Sequence, residues 1–248
     1  MTPTLEICVD DLAGMNAAIA GGADRLELCS ALACGGLTPS LGLMELAAEA
    51  PVAVHAMIRP RSGNFVFSRD DVRLMIRDIV AARQIGLSGV VLGASLPDGR
   101  LDCEALQHLL AAADGMDVTL HRAFDLVPDQ MQALAEAQAL GFRRILTSGG
   151  KKSAPEGLDA LKKLVSASQG RVSIMPGGGL TIDNLEQFAD LGISEFHASC
   201  SRSSEVAPTL VNFGFELEQR RQTDEDSVRQ MKQGISSIAS KRLENGGV

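Results

Sequence analysis

Leu5-Glu6-Ile7-Cys8-Val9 and Arg25-Leu26-Glu27-Leu28-Cys29 write the same alternation twice. Side chains of an extended strand point alternately to its two faces. Leu5, Ile7 and Val9 therefore fall on one face and Glu6 and Cys8 on the other, and the second segment repeats this with Glu27 and Cys29. Three later segments follow suit: 52–59 sets His55 and Arg59 apart from Val52, Val54 and Ile58, 118–121 sets Thr119 and His121 apart, and 194–198 puts Glu195 and His197 on a shared face. Acids and imidazoles along one interior face cost too much desolvation to be filler, which marks that face as a candidate site.

The segments belong to a regular alternation of strands and helices. A helix is expected over Asp10 to Ala20, stopped by Gly21-Gly22, and Ser68 with Asp71 forms a capping box ahead of an amphipathic helix. Further helices are expected from Asp102 to Ala113, from Pro128 to Leu140, from Glu156 to Ala167 and from near Thr181. A long polar loop containing Asn212-Phe213-Gly214-Phe215 leads to a last helix capped by Thr223, with Val228, Met231, Ile235 and Ile238 on one side. Eight strand–helix units without a linker-like change of composition predict an α/β chain folded as one (β/α)8 TIM-type barrel domain over 1–248. In that architecture chemistry belongs to the carboxyl ends of the strands and the loops after them.

A net charge of −8, 3% aromatic residues and no Trp or Tyr argue against nucleic-acid or anionic membrane partners. No apolar run is long enough to span a bilayer and the first residues lack a secretory pattern, so a cytoplasmic protein is expected. Cys8, Cys29, Cys34, Cys103 and Cys200 make an odd set without framework spacing, which predicts reduced thiols.

The polar face admits more than one chemistry. Glu6, Glu27, His55, His121 and His197 suit acid–base catalysis or a divalent metal, and equally a buried ion-pair network with Arg25, Arg59 and Arg122. Glu-x-Cys used twice is expected to set Cys8 and Cys29 at equivalent heights on adjacent strands about 4.8 Å apart, a pair of thiolates suited to Cu(I); two small core residues are the plainer reading. Gly177, Gly178 and Gly179 after the seventh strand offer free amides and a helix N-terminus to a phosphate, with Thr147 and Ser148 beside them. Arg25, Arg59, Arg61 and Arg122 complete a set able to clamp a small anion, unless Asp125 and the glutamates take them.

Ordered blocks along nearly the whole chain resemble the CutC copper-homeostasis family: Leu5-Glu6-Ile7-Cys8, 22–29, 35–40 (GGLTPS), 58–65 (IRPRSGNF), 119–125 (TLHRAFD), 145–149, the triple-glycine turn and 195–199. Phe67 departs from the pattern, which has Tyr there. The resemblance implies a cytoplasmic TIM-barrel protein of copper handling that binds Cu(I) at Cys8 and Cys29 and forms homodimers or larger homo-oligomers. The residues themselves also leave open an enzyme acting on a small anionic or phosphorylated substrate, with an optional divalent metal.

Overall fold

A computed structural model describes residues 3–245; Met1, Thr2 and the last three residues of the expected 1–248 domain lie outside the described residues. Eight parallel strands form one sheet: β1 (Thr4–Val9), β2 (Arg25–Leu28), β3 (Ala53–Met57), β4 (Gly89–Leu92), β5 (Asp117–Leu120), β6 (Arg144–Thr147), β7 (Ser173–Pro176) and β8 (Glu195–Ala198). Their order is β7-β6-β5-β4-β3-β2-β1-β8, so the sheet curls into a barrel whose end strands β7 and β8 lie side by side without being hydrogen-bonded neighbours. Pro176, which has no N–H to give, ends β7 at that seam.

Six helices, α1 (Leu12–Ala20), α2 (Leu41–Ala47), α3 (Arg69–Ile85), α4 (Cys103–Ala112), α5 (Gln130–Leu140) and α6 (Leu158–Ser168), return the chain between the first seven strands. The outward strand positions Leu5, Ile7, Val9, Leu26, Leu28, Val54, Ala56 and Phe196 are at most 3% exposed, as are Ile79, Leu106 and Leu161 of the covering helices. This apolar layer supplies most of the cohesion, at about 1.5–3 kcal/mol for each fully buried large side chain. The Ser68–Asp71 capping box is present at α3.

Helix starts shift where a neighbouring carboxylate takes the cap. Asp11 caps α1 by accepting from Gly14 N at 2.6 Å, while Asp10 turns to Leu32 N at 3.0 Å. Asp129 caps α5, so Pro128 precedes that helix. No α-helix follows β7: Asn184 accepts from Thr181 N and donates to Gly179 O, locking a turn where a helix was expected, and a 3-10 segment Leu185–Leu191 takes its place. The expected polar loop is instead a two-stranded antiparallel ribbon of β9 (Ser201–Ser204) and β10 (Arg220–Thr223) enclosing the short helix α7 (Pro208–Asn212). Thr223 pairs with Ser201 in that ribbon, so Asp224 caps the last helix, α8 (Glu225–Asn245), accepting from Ser227 N at 2.8 Å. α8 packs on α1 and the 3-10 segment and buries Val228, Met231, Ile235 and Ile238. Among the described residues no helix is long and apolar enough to cross a membrane.

Inside the barrel, β4 supplies room rather than side chains. A Cβ on Gly89 would lie 2.6 Å from His55 Cδ2 and 2.5 Å from Asp117 O, and one on Gly93 would lie 2.5 Å from His121 Nδ1. These two glycines are the hollows into which the imidazoles fit. Gly89→Ala is expected to lower stability by about 1–3 kcal/mol through overpacking, read as a lower urea midpoint at unchanged m-value; an unchanged midpoint would remove the steric account.

Candidate functional site

The register decides which inward groups meet. Glu6 pairs with Arg25 across β1–β2 and with His197 across β1–β8, while Cys8 is level with Glu27, and Glu27 with His55. Cys29 lies two residues beyond Glu27, with its N–H on Val9 O at 2.8 Å. Cys8 and Cys29 are therefore not at equivalent heights: the stagger of a closed barrel offsets them by two residues, about 7 Å along the strand.

The lower interior is a charge network. Arg25 Nε donates to Glu6, Arg25 also bonds Glu195 at 2.7 Å, and Arg144 bonds Glu195 at 2.7 Å, Asp117 at 2.9 Å and Thr119 Oγ1 at 3.1 Å. The expected ion-pair network thus exists with Arg144 in place of Arg59 and Arg122. Arg25 is engaged by protein carboxylates on this floor, an arrangement that leaves an anion at the mouth to other donors.

Glu6 joins this floor to His197 at the same level, and above them sit Glu27, Cys8 and Cys29, all five under a tenth exposed. His197 Nδ1 is 2.8 Å from Glu6 Oε1 and its Nε2 is 3.8 Å from Glu27 Oε2; Cys29 Sγ donates to Glu27 Oε2 at 3.6 Å and Cys8 Sγ to Ala198 O at 3.8 Å. Burial would raise the Glu6 carboxyl, but the charge of Arg25 and the hydrogen bond from His197 hold it far below the ordinary range. Burial pushes Glu27 up, with the Glu6 charge adding to it against His197. His197 is opposed by burial yet held well above its usual value by Glu27, Cys8 and Glu6. His55, 3.8 Å from Asp117, is pulled down to about 4 by burial.

His121 stands apart, nearer the mouth. Its Nδ1 accepts from Ala123 N at 3.2 Å, its Nε2 has no partner, and burial brings it to about 3. Phe65 lies against it, with ring centroids 4.8 Å apart, and Arg59 lies 4.9 Å from the same ring. Arg59 donates to Cys34 O, Gly36 O and Gly63 O, and among the described residues no carboxylate pairs with it.

The other expected anion donors are largely engaged by the chain itself. Asp125 accepts from Thr147 Oγ1 at 2.5 Å, Ser148 N and Gly150 N at 3.0 Å, Ser148 Oγ at 3.0 Å and Arg122 Nε at 2.7 Å. A protein carboxylate thus occupies the cradle foreseen for a ligand. Arg61 holds its own loop through Asn64 and Val66 O and lies over Phe67. A Cβ on Gly177 would lie 2.4 Å from Leu146, one on Gly178 2.8 Å from Arg122, and one on Gly179 3.3 Å from Ser153, so this turn is packed on the protein, with no α-helix N-terminus behind it. His108 is exposed on α4. The pairing of Arg122 with Asp125 that the sequence allowed is present at 2.7 Å, whereas alternation missed Arg144, Asp117 and the glycines Gly89 and Gly93; the Gly89-x-x-x-Gly93 spacing opposite two histidine strands was the one available signal for the last.

A parallel eight-stranded barrel lined at mid-height by thiol, carboxylate and imidazole groups defines a TIM-barrel protein with an interior polar site. The chain belongs to the CutC family, whose model matches residues 3–202 and so takes in all eight barrel strands. It is 56% identical over 241 residues to a family protein CutC of Rhizobium meliloti, covering 96% of this chain and 98% of that one. It is 44% identical over 197 residues to the copper homeostasis protein cutC homolog of Homo sapiens, covering 79% of this chain and 72% of the human one. The crystal structure of a copper homeostasis protein CutC from Streptococcus agalactiae superposes with a TM-score of 0.76 at 34% identity, covering 79% of this chain and 98% of that chain.

The imidazoles set an acid limit. His55 and His121 have folded values of about 4 and about 3 against an ordinary 6.5, so below pH 6.5 the unfolded chain binds more protons and stability falls as pH falls. Glu6 acts in the same direction below its ordinary 4.5. His197 acts oppositely, its contribution being complete below 6.5 and lost as pH rises through its raised value. Urea unfolding between pH 6.5 and 4 should show a loss of about 3 kcal/mol from His55 alone, and His55→Gln should flatten that slope; an unaltered slope would contradict the assignment.

Proposed function

We propose that this chain is a cytoplasmic copper-homeostasis protein that holds Cu(I) through the thiolates of Cys8 and Cys29, in a homodimer or larger homo-oligomer. The observation that carries the reading is that both cysteines are free, buried and gathered around one carboxylate: Cys29 Sγ on Glu27 Oε2 at 3.6 Å, and Cys8 Sγ within 4.8 Å of a Glu27 oxygen. Cu(I) is soft and tolerates two ligands, and thiolates are its preferred donors. Family membership and the human relative's designation as a copper homeostasis protein support the physiological setting. Uptake displaces two thiol protons, so it should weaken as pH falls. Competition with a chromogenic Cu(I) chelator should give one ion per chain for the wild type, sedimenting as a dimer or larger, and none for the Cys8→Ser, Cys29→Ser double variant; undiminished uptake by that variant defeats the assignment.

A second reading, an enzyme acting on a small anionic or phosphorylated substrate, is favoured by one observation. Arg59 Nε and His121 Nε2 are both buried and, among the described residues, unpartnered, and both side chains lie close to the Phe65 ring centre, at 4.9 and 4.8 Å. An anion entering there would meet a guanidinium without a competing carboxylate, and a neutral imidazole. Inorganic phosphate should then raise the melting temperature relative to chloride at equal ionic strength, and Arg59→Lys should diminish the rise; equal melting in both salts would count against it.

A further inference from the structure

Among the inward-facing carboxylates of the barrel, Glu6 has Arg25, Glu195 has Arg25 and Arg144, and the partly exposed Asp117 has Arg144. Among the described residues no guanidinium pairs with Glu27. It is 3% exposed, its Oε1 has no hydrogen-bond partner, and His197 Nε2 faces its Oε2 at 3.8 Å, beyond hydrogen-bonding range. A carboxylate placed so is incompletely satisfied, and an orphaned buried oxygen calls for a cation or a donor.

Two further groups complete a donor set. The Cys8 Sγ, a Glu27 oxygen and a His197 ring nitrogen all lie within 4.8 Å of one another, and all three residues are buried. Behind His197, Glu6 Oε1 sits 2.8 Å from Nδ1. A carboxylate cannot donate, so the proton of that bond is on Nδ1, and Nε2 is the nitrogen presented toward Glu27. A carboxylate behind the imidazole that fixes ring orientation and raises ligand basicity is the usual support of a metal-bound histidine. Two donors on one tetrahedral ion, at about 2.0–2.3 Å from it, stand about 3.3–3.8 Å apart. The 3.8 Å gap between Nε2 and Oε2 lies close to that edge and is too long for a direct bond.

We infer that Cys8, Glu27 and His197 form a site for a borderline divalent cation of the Zn(II) or Co(II) class, with Glu6 positioning His197. The mixed sulfur, nitrogen and oxygen set is too hard for a dedicated Cu(I) centre and too soft for Mg(II) or Ca(II). Three protein ligands leave the fourth position to water or to an exogenous group, the arrangement of zinc sites that do chemistry rather than those that only staple a fold. The inference goes beyond the copper reading and does not rest on it: the two share Cys8, and only the copper reading requires Cys29.

The test uses the metal-free full chain under a non-thiol reductant, titrated with Co(II). One equivalent should bind with the visible bands of a tetrahedral ion and a near-ultraviolet thiolate charge-transfer band. Cys8→Ser should remove the charge-transfer band, Glu27→Gln and His197→Gln should each lower affinity at least tenfold, and Cys29→Ser should leave band and stoichiometry as in the wild type. X-ray absorption of the Zn(II)-loaded wild type, which needs no variant to fold, should show one sulfur among the ligands. No Co(II) uptake, a band lost in Cys29→Ser or kept in Cys8→Ser, or two sulfurs around zinc would each overturn the site. The chelator competition with Cu(I) stands separately: loss of Cu(I) binding in Cys29→Ser with Co(II) binding intact sustains both readings, and Cu(I) binding without Co(II) binding removes only this one.

Discussion

A glutamate with no exposure at all, Glu6, is the constraint around which the interior is arranged. An isolated carboxylate in that position would take up a proton rather than remain charged. Arg25 on the neighbouring strand and His197 on the strand at the other side both donate to it, and Arg25 passes the linkage through Glu195 to Arg144 and Asp117. The network therefore spans β1, β2, β5, β6 and β8. Removing one partner strands the rest, at about 3–5 kcal/mol for a broken buried pair. It also fixes register, because a slip of one residue would send Glu6 among the helices and Leu5 or Ile7 into the ions.

A charged floor of this kind needs space that the usual aliphatic layers of such barrels do not leave. The space comes from Gly89 of β4 and Gly93 just beyond it, which face His55 and His121, and from the small or flexible neighbours Val91, Met57 and Met175. Arg25 Nη2 reaches Met175 Sδ at 3.3 Å, so even the filler takes part in the network. The donor groups consequently stand on strands, Cys8 and Glu27 with ladder bonds on both sides and His197 on β8 with its ladder to β1, and not on mobile loops. Rigid placement of that sort is what a coordination site or an acid–base pair requires.

Period-two alternation was enough to find the eight barrel strands, though not the β9–β10 ribbon, and to say which side chains face inward, because it depends only on local backbone geometry. What it could not supply was the stagger between strands. Two Glu-x-Cys segments look equivalent when written one above the other, yet the observed register pairs Cys8 with Glu27 and leaves Cys29 higher. Arg144 opens its strand, where an outward solvated charge and an inward one read alike. Asp125 takes the Thr147–Ser148 cradle through a fold-back that only the three-dimensional path reveals. The helix expected after β7 failed for a local reason: the side chain of Asn184 satisfied the backbone groups that would have begun it.

The same stagger divides the labour between two glutamates that the sequence presents as twins. Glu6 lies level with Arg25 and is neutralised; Glu27 is carried one pair higher, level with Cys8 and His55, where no guanidinium of the described residues pairs with it. His55 does not fill the gap, because burial keeps it neutral down to about pH 4 and its Nε2 turns toward Asp117 at 3.8 Å. His197 then stands between a satisfied carboxylate and an unsatisfied one, 2.8 Å from the first and 3.8 Å from the second. The imidazole is thus anchored at one nitrogen and faces an unmet carboxylate oxygen at the other. The structural glutamate thereby sets the orientation of the histidine that faces the second glutamate.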